Sequence, residues 1–348
     1  MTYLDTKSRA CYVKGMAKQK KATIRDVAAA AGVSVTTVSD ALSGKGRLPE
    51  ATREKVHAVA EQLSYRPSAI ARGLRSDGLG LIAICIAPAG GGGVLTDVSY
   101  WAAIVTHASQ AILSTGQAPV LLPHSVEMLS KMRLPLDGAI VVDPLENDPV
   151  LAFFERKRIH CLTIGRDLQH DTGHWVDDDT REGVRQLLLA AVPIGACLGF
   201  ITVGPKKSYI GDALDGAQDW AAERGGRLLV QASPSMESPQ VEAAVKALLD
   251  GGAEALIAQN DRLALRALEA LKSLGKTVPD DVRLLSAADA PELSRVEPTI
   301  SAAQAHPARL AALAAAGLQD IIRGSGDRAN AKVPMEVILR ASAPRISV

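Results

Sequence analysis

The 348-residue sequence predicts two unlike parts. The first is an N-terminal all-α module of helix-turn-helix layout ending in a short hinge helix. The second is an α/β region of two lobes, each a doubly wound parallel sheet. Three observations carry this expectation. Residues 23–74 hold short helical periodicities separated by a tight turn at Gly32. From residue 79 onward, continuous apolar runs alternate with amphipathic ones, the signature of parallel strands covered by helices on both faces. Charge is also uneven: residues 1–78 hold 14 Lys and Arg against 7 Asp and Glu, the remainder 25 against 31. A basic small part joined to an acidic large one implies that only the first meets phosphate.

Residues 1–21 read as a disordered basic lead-in, with Met16 as an alternative start because the organised pattern begins at Ala22. Charges at Asp5, Lys7, Arg9, Lys14 and Lys18, with no apolar stretch among them, argue against a signal peptide. Ile24, Val27, Ala28 and Ala31 then form one apolar face of a first helix. Gly32 can take the left-handed turn conformation, Val33 can plug the angle, and Ser34 can cap the next helix. In that second helix Val38, Ala41 and Leu42 point inward, leaving Val35, Thr36, Ser39 and Asp40 outside beside Thr37. A third helix is expected to bury Val56, Val59, Ala60 and Leu63 and to stop at Tyr65-Arg66-Pro67. This gives a domain at 22–66, followed by a hinge helix and linker at 67–78.

In the larger region, 79–348, strands are expected at 81–87, 119–122, 138–142, 159–164, 196–203, 227–231, 255–258 and 282–286. Helices are expected at 101–113, 180–191, 211–224, 238–249 and 262–274. This is too many strands for one tidy sheet, hence two lobes. The uncharged run 187–204 reads as a buried helix end entering a buried strand, since Pro193 and several glycines interrupt it. Four scattered cysteines (Cys11, Cys85, Cys161, Cys197) show no CxxC spacing and read as reduced structural thiols of a cytoplasmic protein. The histidines form no triad or metal-binding spacing. Gly90–Gly93 lacks the Lys and hydroxyl of a phosphate loop and reads as a rim loop. No catalytic group, metal site or cofactor is implied.

The segments AGVSVTTVSDALSG (31–44) and TREKV (52–56) resemble the lac-repressor (LacI/GalR) family of bacterial transcription regulators, and the resemblance extends over nearly the whole chain. It implies that the second helix enters the major groove of operator DNA. Val35, Thr36 and Asp40 would then lie at base edges. Ser34, Thr37, Ser39, Ser43 and Arg47 would lie at phosphates. Ser68, Ala71 and Leu74 fall on the family's hinge helix, with Leu74 wedged into the minor groove. Six or seven residues are too few for a helix stable alone in water, so the hinge should fold only on DNA and against a second subunit. A homodimer on a pseudo-palindromic operator follows. Asp40 departs from the Arg or His many members carry; as an acceptor only, it should alter the preferred base pair there.

Other matches are LGLIAICIAP (79–88), LDGAIVVDP (136–144), DDDTREGV (177–184), the run 259–285, the run 296–318 and VILRAS (337–342). They imply an effector domain similar to type I periplasmic sugar-binding proteins, with lobe 1 at about 79–176 and 300–328 and lobe 2 at about 177–299 and 329–348. Ligands of open parallel sheets bind beyond the carboxyl ends of the strands. Tyr100, Trp101, Asp143, Arg166, Asp179, Asn260, Asp261 and Asp289 are therefore the candidate ligand residues, with Asp178 beside Asp179. For Asp179 and Asp261, helix capping is an equal alternative; for the two aromatics, plain packing is favoured over a ligand role. The family's R-x-x-G-F element reads Ala213-Leu214-Asp215-Gly216 here, without the Arg, and its G-F-D-D turn reads Ser286-Ala287-Ala288-Asp289. These absences argue against a standard sugar inducer; an unusual small molecule, a protein or phosphometabolite signal, or no effector stay open. The rival classes are an α/β enzyme, for which no catalytic constellation is legible, and a secreted solute-binding protein, which would not carry residues 22–74. The expected chain is a cytoplasmic, nucleoid-associated, membrane-free repressor.

Overall fold

A computed structural model describes residues 22–43, 46–65, 79–88, 99–169, 173–325 and 330–346. The chain divides into two compact units, one through Leu79 and one from Gly80. The expected lead-in, the hinge residues Ser68, Ala71 and Leu74, and Gly90–Gly93 lie outside the described residues.

In the first unit, α1 (Ile24–Ala31) starts at a reciprocal cap: Thr23 Oγ1 accepts from the Asp26 amide while the Asp26 carboxylate accepts from the Thr23 amide. It ends at Gly32 in the left-handed region (φ 64), where a side chain would be strained. The Ser34 hydroxyl accepts from the Thr37 amide at 3.0 Å and so opens α2 (Val35–Ser43). The third helix, α3 (Glu50–Gln62), is tied back to α2 by Arg53 donating to the Ala41 carbonyl. The three helices close over Val27, Ala28, Ala31, Val38, Ala41, Val56 and Ala60. Leu63 is not among them: it terminates α3 and is 37% exposed. Ser64 then turns left-handed (φ 50) and Tyr65 folds back onto the core in its place, its amide bonded to the Ala60 carbonyl.

The second unit holds two six-stranded sheets. The first contains β1 (Leu81–Ile86), β2 (Ala118–Leu122), β3 (Gly138–Val142), β4 (His160–Ile164), β5 (Trp175–Asp178) and β11 (Asn330–Val333), in the order β11-β5-β4-β3-β1-β2, all parallel. One face packs on α4 (Ser99–Ser114) and α11 (Pro307–Ile322), the other on α5 (Val126–Met132) and α6 (Pro149–Arg156). The second sheet contains β6 (Cys197–Val203), β7 (Arg227–Ser233), β8 (Ala255–Ala258), β9 (Arg283–Ser286), β10 (Ser301–Gln304) and β12 (Glu336–Ile338), in the order β12-β10-β9-β8-β6-β7. Only β12 runs antiparallel. Its faces are covered by α7 (Thr180–Ala191) with α8 (Ser208–Arg224), and by α9 (Ser238–Asp250) with α10 (Asp261–Ser273). The run 187–204 is the end of α7 leading into β6, and no described helix is long and apolar enough to cross a membrane. Cys85, Cys161 and Cys197 are free; burial pushes the Cys85 thiol up to about 12.

The lobe boundaries differ from the expected ones. The strand at 301–304 belongs to the second sheet because it pairs with β9 and β12, whereas 330–333 extends the first sheet by pairing with β5. The chain therefore crosses between lobes at 178–180, at 305–306 and at 334–335. At α7 against α8 the helices approach so closely that a Cβ on Gly216 would overlap the Arg181 carbonyl oxygen. That contact explains the glycine of the Ala213–Gly216 element.

Candidate functional site

Two regions carry the candidate residues. In the first unit, Ser34, Val35, Thr36 and Arg47 are exposed, Val35 to 37%, while Thr37, Ser39 and Asp40 are half-buried. Ser34 and Thr37 share a hydroxyl contact at 2.8 Å, so both hydroxyls are oriented at the start of α2. Ser43 is the last residue of α2. Asp40 does not point freely outward: a Cβ built on Gly46, which has φ +84, would lie 3.3 Å from an Asp40 carboxylate oxygen. Its carboxylate thus lies against the loop leading to Arg47.

In the second unit, a cleft partly open to solvent is lined from both lobes. Of the expected ligand residues, Tyr100, Trp101, Asp143, Asn260, Asp261 and Asp289 line it. Tyr100 and Trp101 enter from the first turn of α4, and Trp101 is 6% exposed. Trp101 Nε1 donates to Asp143 at 2.7 Å. Asp143 itself sits beyond β3 with φ 49, in the left-handed region that Asp enters more readily than most non-glycine residues. At the opposite wall Asn260 caps α10 by accepting from the Leu263 amide at 2.9 Å. Asp261 is therefore not the capping side chain; burial raises its pKa above the usual carboxylate value. Asp289 is held by Arg340 through two bonds of 2.8 Å.

Arg166 and Asp179 are not among the lining residues. The Arg166 guanidinium is committed to Asp177 at 2.8 Å and to Asp212, and it faces the Trp175 ring at 5.5 Å. Asp179 precedes α7 without capping it and pairs with Lys332 at 2.9 Å. Both are structural ion pairs between elements distant in sequence.

Several cleft residues were missed by sequence reasoning. Lys207 follows β6 in a segment that reads as an ordinary Gly-Pro turn, yet the same carboxyl-end rule covers it. It is 4% exposed, donates to the Ala87 carbonyl at 3.2 Å and lies 5.6 Å from the Trp101 ring centre. Burial lowers its pKa. Tyr209 lines the same wall, burial raises its hydroxyl pKa, and Gln259 closes the β6–β8 end by accepting from the Val203 amide and donating to its carbonyl. Asp177, also missed, lines the cleft beside Asp178, which was among the expected residues. Burial, opposed by Arg166, leaves Asp177 at about 6. Burial and then repulsion from Asp177 and Asp143 push Asp178 up to about 8; the Tyr100 hydroxyl and the His306 amide only partly offset this. Asp178 Oδ1 has no hydrogen-bond partner. The cleft offers acceptors, aromatic walls and one buried cation, with no arrangement of nucleophile and base.

Residues 23–68 match the lacI family of bacterial regulatory proteins, and residues 193–343 match a periplasmic binding protein-like domain. The HTH-type transcriptional regulator DegA of Bacillus subtilis is 30% identical over 279 residues, covering 76% of this chain and 81% of that protein. The fold is that of the Lac repressor bound to ONPG in its repressed state, with a TM-score of 0.74 at 21% identity over 93% of this chain and 100% of the other. It is also similar to a CelR–cellobiose complex, with a TM-score of 0.67 at 23% identity over 92% and 100%. With a helix-turn-helix module and a two-lobed cleft domain in one chain, and a relative of this similarity along most of its length, the protein belongs to the lacI family of DNA-binding transcriptional regulators.

Proposed function

We propose that this regulator is a cytoplasmic, nucleoid-associated homodimeric repressor that grips a pseudo-palindromic operator through α2 and the hinge at 67–78. A small molecule in the 79–348 cleft would set its affinity. The observation that carries the DNA reading is the exposed start of α2: Val35 and Thr36 project beside the oriented hydroxyls of Ser34 and Thr37, on the basic part of the chain. In this reading Val35, Thr36 and Asp40 meet base edges, while Ser34, Thr37, Ser39, Ser43 and Arg47 position the helix on phosphates. Ser68, Ala71 and Leu74 would add the minor-groove contact. Self-association is supported by two open sheet edges, β2 and β7, with Leu121 and Val230 about half-exposed on them (49% and 50%).

Selection from random duplex DNA tests this. The full chain is expected to enrich an inverted repeat, and a chain lacking residues 1–79 to enrich nothing while keeping a cooperative melting transition. Enrichment by the truncated chain would contradict the reading. Repeating the selection with Asp40→Arg should change the preferred base pair at one position of each half-site, by about 1–3 kcal/mol of discrimination. An unchanged site would show that Asp40 serves only the loop at Gly46.

A further inference from the structure

Resting on the reading of the cleft as an effector site, we propose that its ligand is a small organic cation, a molecule whose protonated primary amine is received by Asp178 with Asp143 alongside. The lining is rich in carboxyl groups: Asp143, Asp177, Asp178, Asp261 and Asp289. Of the cations that line the cleft, Arg262 is exposed on the rim beside Asp261 and Lys207 is buried; most others nearby are consumed. Arg166 is bound by Asp177 and Asp212, Arg340 is bound by Asp289, and buried Lys207 is turned to the Ala87 carbonyl and the Trp101 ring. Ala213 is buried and supplies no charge where the family's arginine would stand.

Asp178 makes this more than an acidic patch. It is 7% exposed, it lines the cleft, and Oδ1 has no hydrogen bond of good geometry, although the Tyr100 hydroxyl reaches Oδ2 at 3.4 Å and the His306 amide also faces the carboxyl group. An unsatisfied buried acceptor is costly, and its neighbours repel its charge. An ammonium group answers both needs, giving a charge-assisted hydrogen bond and relieving the repulsion. A neutral hydroxyl would supply only the bond. A metal ion is disfavoured by geometry: among the described residues no three acid, His or Cys side chains converge as a metal site would require. The aromatic lining by Tyr100, Trp101 and Tyr209 suits the carbon skeleton of such a molecule.

Matched pairs test the proposal by calorimetry on the full chain: D-glucosamine against D-glucose, and 1,4-diaminobutane against 1,4-butanediol. The amine of at least one pair should bind about tenfold or more tightly than its neutral counterpart, and Asp178→Asn should remove that advantage. Asp143→Asn serves as the second variant should Asp178→Asn melt abnormally. Between pH 6 and pH 8 amine affinity should rise, because Asp178 must give up its proton in a site it shares with Asp177, Asp143, Tyr100, Lys207 and His306. Binding of neither amine, or equal or tighter binding of the neutral partner, overturns the amine. If that neutral binding still falls in Asp178→Asn or Asn260→Ala, the cleft stands as the effector site. Binding indifferent to every cleft variant would overturn the cleft reading as well.

Discussion

Replacing Val38 by Asp is expected to unfold the DNA-binding module and abolish operator binding while the larger unit melts as before. The module's core is Val27, Ala28, Ala31, Val38, Ala41, Val56 and Ala60, more than half of it alanine. Alanine buries little apolar area, so a module of this size holds only about 3–5 kcal/mol of stability. Val38 is fully buried. An unpaired carboxylate there costs several kcal/mol even after its pKa has risen, which equals or exceeds the whole margin. The apolar clusters of the second unit draw only on residues from Ile82 onward, so its transition should be untouched. Fluorescence anisotropy with the selected operator and differential scanning calorimetry read both halves of this expectation. Operator affinity within about threefold of the parent would contradict it.

Gly216→Ala should lower the melting temperature of the second unit, whereas Gly211→Ala, five residues earlier in α8, should leave it unchanged or raise it. A Cβ at 216 meets the Arg181 backbone carbonyl, which cannot rotate away, so α7 and α8 must separate. Overpacking of this kind costs about 1–3 kcal/mol, or several degrees in a unit of this size. At Gly211 the nearest neighbour is Leu168 Cδ1 at 3.8 Å, ordinary contact distance. There the gain in helix propensity, up to about 1 kcal/mol, is free to show. Equal shifts from the two substitutions would mean that the α7–α8 approach is not limiting.

The difference between what was legible in the sequence and what was not follows from how local each signal is. The helix-turn-helix was legible because its cap at Ser34, its turn at Gly32 and its apolar face lie within a few residues of one another. The long apolar strands, such as LIAICI of β1, announced themselves for the same reason. Strands β5, β10, β11 and β12 did not. They are three or four residues long and read WVDD, SAAQ, NAKV and EVI, and β11 becomes a strand only by pairing with β5, which lies far away in sequence. The lobe boundaries were misplaced by those same strands. Within the cleft, the carboxyl-end rule located Tyr100, Trp101, Asp143 and Asn260, which depend on the ends of single elements. Arg166 and Asp179 do not line the cleft, because their partners Asp212 and Lys332 come from elements that no local pattern connects to them. Leu63 failed differently: the left-handed Ser64 hands its place in the core to Tyr65.

The three crossings between the lobes are also part of the cleft wall: Asp178 and Thr180 on the first, Ala305 on the second and Met335 on the third. A molecule seated against them is therefore held at the fulcrum of any movement between the lobes, not out at their lips. Leverage then works outward. A displacement of a fraction of an ångström at the fulcrum is magnified with distance along each lobe, and the far ends of the sheets travel furthest. The packing around that fulcrum is tight, since even a Cβ on Gly183 of α7 would press on Met335 at 2.8 Å. In the proposed effector reading, occupancy would be converted into motion by few residues and a short mechanical path, and bulk added at Gly183 should stiffen the joint by displacing Met335 of the cleft wall.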